Sequence, residues 1–191
     1  MSADLPRRAM LLALLASGCS SPEPTFYTLA ASPGIPRPGG PRLVELRDPS
    51  IAGYLDRSEI VRNDTSYKLD LRPGERWGEP FGSMLGRVLA EDLNQRLPGT
   101  TVFTSHGSLS PEPQAQVEVD VPTFDLHAGG RVVLRAQVAM TRSARGGPTS
   151  RTRSVQIEVA PASTETPSLV AAMSHAAGQL ADAIAAMLRA A

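Results

Sequence analysis

Between Ala115 and Val159 apolar and polar residues alternate in three successive runs, and no other stretch restricts the fold of this chain as much. Val117, Val119 and Val121 flank Glu118 and Asp120. Val132, Leu134, Ala136, Val138 and Met140 recur at every second position, and so do Val155, Ile157 and Val159. A period of two is the signature of a half-buried strand. Ala128-Gly129-Gly130 and Ala144–Pro148 supply turn residues between the runs. The segment therefore predicts a three-stranded antiparallel meander with one covered face. Phe124 and Leu126 fall one position out of phase with the valines before them, and Pro122 sits at the slip. A bulge there returns both apolar sets to one face, and proline is tolerated at bulges.

Two helical patterns supply the cover. Phe81, Leu85, Val88, Leu89, Leu93 and Leu97 follow Pro80 at helical spacing and stop at Pro98-Gly99. The second opens at Thr166-Pro167, read as cap and first residue, and places Leu169, Met173, Ala177, Leu180, Ile184 and Leu188 on one side. Its alanines make it slim enough to pack closely. Leu43–Leu46, an extended region over Ile51–Val61, Tyr67–Leu71 and Thr101–Thr104 read as further strands, with Asn63-Asp64-Thr65 as a turn. The expected class is α+β: a single layered domain, mainly antiparallel sheet, with two helices packed on one face.

The amino-terminal segment is of another kind. Arg7-Arg8 precede ten small or apolar residues and then Cys19, the only cysteine. This is the charged-then-apolar plan of a bacterial export signal, too short to span a bilayer. Ala16-Ser17-Gly18-Cys19 resembles the lipobox of bacterial lipoproteins, with Ala16 where most carry leucine. That resemblance implies cleavage before Cys19 and acylation of it, with palmitate-class chains as anchor and no other cofactor. The organisation expected is a signal peptide over 1–18, a lipidated tether over 19–41 rich in Pro, Ser and Gly, and the folded domain over 42–191. Within the tether, Phe26-Tyr27-Thr28-Leu29 is an apolar island, readable as a docked strand or as a partner contact. Ser20 follows the cysteine. The lack of an aspartate there implies the periplasmic face of the outer membrane, if the host has one.

Composition narrows the chemistry. Lys+Arg and Asp+Glu are 19 each, so there is no electrostatic footprint for nucleic acid. His106, His127 and His175 lack ligand-spaced neighbours, so no metal site is expected. No Gly-x-Ser-x-Gly and no other nucleophile set is present, so catalysis is not expected. The residues that stand out are aromatic and apolar. Trp77, the only tryptophan, reads as a lid over the first helix or as a partner hot spot. Tyr54 and Leu55 read as a packed strand or as a presented edge. With Tyr27 and Leu29 they form the candidate partner-binding set.

One longer pattern carries a family resemblance. It runs through Gly53-Tyr54-Leu55-Asp56-Arg57, Glu59-Ile60-Val61, Tyr67-Lys68-Leu69 and Arg76-Trp77-Gly78-Glu79-Pro80-Phe81. It continues with Val88-Leu89-Ala90-Glu91-Asp92-Leu93 and Leu97-Pro98-Gly99. Together with Tyr27-Thr28-Leu29 after the cysteine and an alanine-rich final helix over 168–188, this order resembles the PqiC-like auxiliary lipoproteins of ABC-type transport systems. The resemblance implies a role in lipid traffic between membranes. Its implied partners are an MCE-domain protein, inner-membrane transporter components and phospholipid. It implies no nucleotide, and the chain has no phosphate loop ending in Gly-Lys-Ser/Thr. A homo-oligomer suits the end of a conduit, though no residue of the sequence demonstrates one. A second function class, an envelope structural or assembly lipoprotein, fits the same anchor; gene neighbourhood separates the two.

Overall fold

A computed structural model describes residues 23–65, 67–105, 111–143 and 147–190. Cys19, the signal segment, His106 and most of the Ala144–Pro148 turn lie outside the described residues.

Among the described residues nine strands form one sheet. They are β1 (Thr25–Tyr27), β2 (Leu43–Leu46), β3 (Ser50–Ile51), β4 (Glu59–Thr65), β5 (Lys68–Trp77), β6 (Thr101–Thr104), β7 (Ala115–His127), β8 (Val132–Arg142) and β9 (Thr149–Val159). Two helices, α1 (Phe81–Arg96) and α2 (Thr166–Arg189), complete the described fold. The predicted meander is β7–β8–β9, paired antiparallel along nearly its whole length. The register slips between Asp120 and Thr123, at Pro122, and both Val121 and Phe124 are buried on its two sides. The remaining strands join in the order β1-β5-β4-β7-β2-β6, with β3 also on β7. Of these contacts only β4–β5 is antiparallel; β1–β5, β4–β7, β2–β7, β2–β6 and β3–β7 are short parallel ladders. The sheet is thus mixed: long antiparallel ladders, joined by parallel ones of two to four residues.

Several element boundaries differ from the sequence reading. Residues 51–61 are not one extended region, since β3 ends at Ile51 and a loop intervenes before β4. Asn63-Asp64-Thr65 is strand rather than turn, because Asn63 pairs with Leu69 across the β4–β5 hairpin. Strand β5 runs on past Leu71 to Trp77 by bulging: Leu71 opposes Val61, while Arg76 opposes Glu59. Pro73 and Gly74 lie in the bulge, with Gly74 at φ 87°. Proline costs no ladder hydrogen bond where the ladder is interrupted.

The helices pack on each other; α2 lies over β8 and β9, and α1 over β6. The core forms between them and the sheet's inner face, from Val117, Val119, Leu134, Val138, Leu85, Leu89, Leu180 and Ile184 among others. Glu118, Asp120, Arg135 and Gln137 point to the opposite, exposed face. The Pro/Gly-rich arm does not hang free over its described part. Leu29 is buried, Leu29 N–H meets Met84 Sδ at 3.2 Å, and Ala30 N–H donates to Ser174 Oγ at 3.1 Å. The arm lies in the seam of the two helices. Gly178 permits this: a Cβ there would stand 2.7 Å from Ser32 Cβ.

Two buried arginines hold the layers together. Arg96, 2 % exposed, donates to Ser32 O, Asp92 O, Gly178 O and Asp182 Oδ1. It also lies 3.3 Å from buried Asp92 Oδ1, which accepts from Ser32 N–H at 2.8 Å. Burial pushes the Asp92 carboxyl above the usual range, against the opposing pull of Ser32 N–H and Arg96. Arg62 reaches Thr164 O and Thr166 Oγ1 at the start of α2. Thr166 is therefore not the helix cap. Glu165 holds that position without a side-chain bond, and the Thr166 hydroxyl donates to Glu75 Oε2 at 2.6 Å.

Candidate partner-binding site

The far end of β5 gathers most of the aromatic residues singled out from the sequence. Trp77 N–H donates to Ser58 O at 2.7 Å, and Gly78 N–H donates to Tyr27 O at 2.8 Å. The 52–58 loop, β1 and the Gly78–Pro80 turn are thereby tied to one point, from which α1 starts. Pro80 precedes the first helical residue, Phe81. The Trp77 and Phe81 ring centroids are 5.2 Å apart, and Phe81 and Phe124 stand at 5.6 Å. Leu55, Val61 and Met173 close around them. Tilted rings at these distances add to the stabilisation from area burial alone, by about 0.5–1.5 kcal/mol per pair.

The structure thus separates the candidate set. Leu29, Leu55 and Trp77 are core residues and present no side chain outward. Trp77 is the lid over α1 that one of its two readings expected. Tyr27 and Tyr54 are partly buried against the same core. What faces solvent here is the rim. Phe26, on the outermost strand, is 61 % exposed. Beside the lid lies an open groove of about 370 Å³, lined by Asp56, Arg57, Ser58, Gly78, Glu79 and Pro80 with Trp77 at its floor. Arg87 pairs with Glu79 and reaches Thr28 Oγ1 at 3.3 Å. Sequence reasoning missed Phe26 as the outward member of its island. Strand alternation was the available signal: Tyr27 and Phe26 must point oppositely.

A second group was not seen in the sequence. Tyr54 Oη donates to Asp125 Oδ2 at 2.6 Å, and His127 Nε2 stands 3.1 Å from Asp125 Oδ1. Asp125 has no exposure, although it lies on the sheet's outer face, because the 52–58 loop folds over it. Burial pushes its carboxyl up, while Tyr54, His127 and Arg135 pull it down. Burial and the Asp125 bond hold the Tyr54 phenol above the ordinary tyrosine range. The Tyr54–Asp125 bond spans from the 52–58 loop to β7. It fastens the loop that carries Leu55 into the core. Alternation in β7 marks Asp125 as outward-facing and gives no sign that a distant loop covers it. Among the described residues no His, Cys, Asp and Glu side chains converge as a metal site. None of the described helices is long and apolar enough to cross a membrane.

The described residues thus form a one-domain α+β module with a docked amino-terminal arm, a closed aromatic lid and an open polar rim. Residues 27–185 match the family of ABC-type transport auxiliary lipoprotein components, and the chain belongs to that family. The fold is shared with solved structures. One is of an uncharacterized protein, with a TM-score of 0.70 at 18% identity over 86% of this chain and 98% of the other. Another is of protein XCC0632 from Xanthomonas campestris, with a TM-score of 0.66 at 20% identity over 86% of this chain and 94% of the other. No curated protein matches the chain significantly. Family membership makes this chain an auxiliary lipoprotein of an ABC-type transport system.

Proposed function

We propose that the protein is anchored by acylated Cys19 at the periplasmic face of the outer membrane and docks the end of an MCE-type conduit that moves lipid between membranes. It acts by binding and positioning, not by catalysis. The observation that carries the reading is the family match over residues 27–185, which spans every rim residue except Phe26. The docking surface is the rim of the lid: Phe26, the 56–58 segment and Glu79. The reasons are physical. The rim stands on a rigid floor of packed aromatics and lies next to the strand that follows the anchor. Its exposed Phe26 ring and Asp56 carboxylate, with the partly buried Arg57 and Glu79 beside them, are the kinds of side chain that give a contact affinity and orientation.

The test is affinity capture of the tagged full-length protein from detergent-solubilised membranes after mild cross-linking. Recovery of an MCE-domain protein, cross-linked to the rim and lost at least tenfold in Phe26→Asp/Arg57→Glu, is the expected result. Ile35→Asp, away from the rim, leaves capture unchanged. Recovery of peptidoglycan or outer-membrane assembly proteins alone, in cells expressing the MCE protein, overturns the reading in favour of an envelope scaffold.

A further inference from the structure

The molecule has four large exposed apolar residues among those described: Phe26, Ile35, Tyr67 and Leu69. Phe26 belongs to the rim. Tyr67 and Leu69 lie together at the tip of the β4–β5 hairpin, where Tyr67 is 100% exposed. Lys68, the only lysine of the chain, and Arg72 are exposed on the other face of the strand, with the partly buried Asp70 between them.

The register of β1 says what lies near them. β1 runs parallel to β5, with Thr25 opposite Glu75 and Tyr27 opposite Trp77. The chain therefore enters β1 from the side of the hairpin tip. Cys19 to Thr25 is six residue steps, a reach of at most about 20–22 Å. From Glu75 back to Leu69 is also six residue steps, about 20 Å of strand. The acylated cysteine is thus tethered within reach of the tip.

We propose that the hairpin tip is a membrane-contact site: Tyr67 and Leu69 enter the interfacial layer, and Lys68 and Arg72 meet lipid phosphates. The inference rests on the lipidated Cys19 of the reading above. Tyrosine belongs at the level of the headgroups, and long cationic side chains place their stems in apolar surroundings and their charges at phosphate. A protein partner fits less well. A tyrosine and a half-exposed leucine offer on the order of 200–300 Å², against about 800 Å² per partner in a stable interface. A tip held at the membrane turns an acyl tether into a fixed orientation, with the rim directed away from the bilayer along β5.

Acylation of Cys19 leaves the full-length chain without a free thiol, so an introduced cysteine is labelled selectively. Full-length Leu69→Cys, carrying an environment-sensitive fluorophore, is reconstituted in vesicles of phosphatidylethanolamine and phosphatidylglycerol containing a headgroup-region nitroxide lipid. Ile35→Cys is the control. It lies beside Arg189, and α2 ends near the start of β7, whereas the hairpin tip neighbours the end of β7. The expected result is quenching severalfold stronger at position 69 than at 35, reduced to the control level by adding Tyr67→Ser. Equal quenching at both sites, with Cys19 shown by mass spectrometry to be acylated, overturns the membrane contact alone. Protection of the label only after addition of a partner protein overturns it too, in favour of a protein interface. A chain that is not acylated overturns the lipoprotein reading as well.

Discussion

The two ends of β5 carry aromatic residues of opposite fate. Tyr67, just before the strand, is fully exposed, whereas Trp77, its last residue, is 5 % exposed beneath the 52–58 loop and the start of α1. Composition does not separate them, since both sit among charged residues and next to turns. What separates them is the cover that arrives from elsewhere in the chain. At Trp77 two remote segments, the 52–58 loop and β1, meet, and the tryptophan becomes the floor on which a rim is built. At Tyr67 no described segment arrives, and the ring stays exposed. One end of the strand is therefore about stability and the other about contact.

Substitutions that strip the covered end have the largest expected effects. Trp77→Ala opens a cavity against Phe81 and Leu55 and costs about 3–5 kcal/mol, read from chemical denaturation. Tyr67→Ala, on the same strand, stays within about 0.5 kcal/mol of the parent; a large loss there would break the comparison. Removing Arg96 leaves Asp92 buried without its cation, so Arg96→Ala costs about 3–5 kcal/mol as well. Gly178→Val drives a side chain into Ser32 and the Arg96 guanidinium and costs about 1–3 kcal/mol. Amide exchange then rises first in the arm, which is displaced.

Tyr54→Phe is gentler. It leaves a buried Asp125 oxygen without its donor and costs about 1–3 kcal/mol. The smallest effect is one of pH. Burial raises the Asp125 carboxyl in the folded protein, so the folded state binds its proton more tightly than the unfolded state does. Its contribution is full below the unfolded value of about 4 and is lost as pH rises through the folded value. Asp125→Asn accordingly flattens the fall in Tm over that window relative to the parent. A steeper fall in the variant would show that Tyr54 and His127 outweigh burial.

Much of the architecture was legible in the chain. The meander, its bulge at Pro122, both helices and the α+β class follow from alternation, helical spacing and turn residues, all of which are local. The parallel joins were not legible, because a parallel partner is reached through a crossover and leaves no mark in either strand. Strand β5 was read only over the alternating residues Tyr67–Leu71, and only the neighbouring β4 shows that it continues through a bulge at Pro73-Gly74. The candidate site was half legible. The aromatic residues were the right ones to notice, but whether each forms floor or rim depends on which segments fold over it.

By itself, the sequence determined the period of each element, the closing residues between them, and the signature that ends at Cys19. Tertiary structure alone decided that Arg62 and Arg96 are buried, that Asp125 is covered, and that Trp77 rather than Phe26 is enclosed. The physical reason is that periodicity records which face of an element is turned inward, while burial requires a second surface. That surface comes from residues distant in the chain, as Ser32 does for Arg96 and Tyr54 does for Asp125.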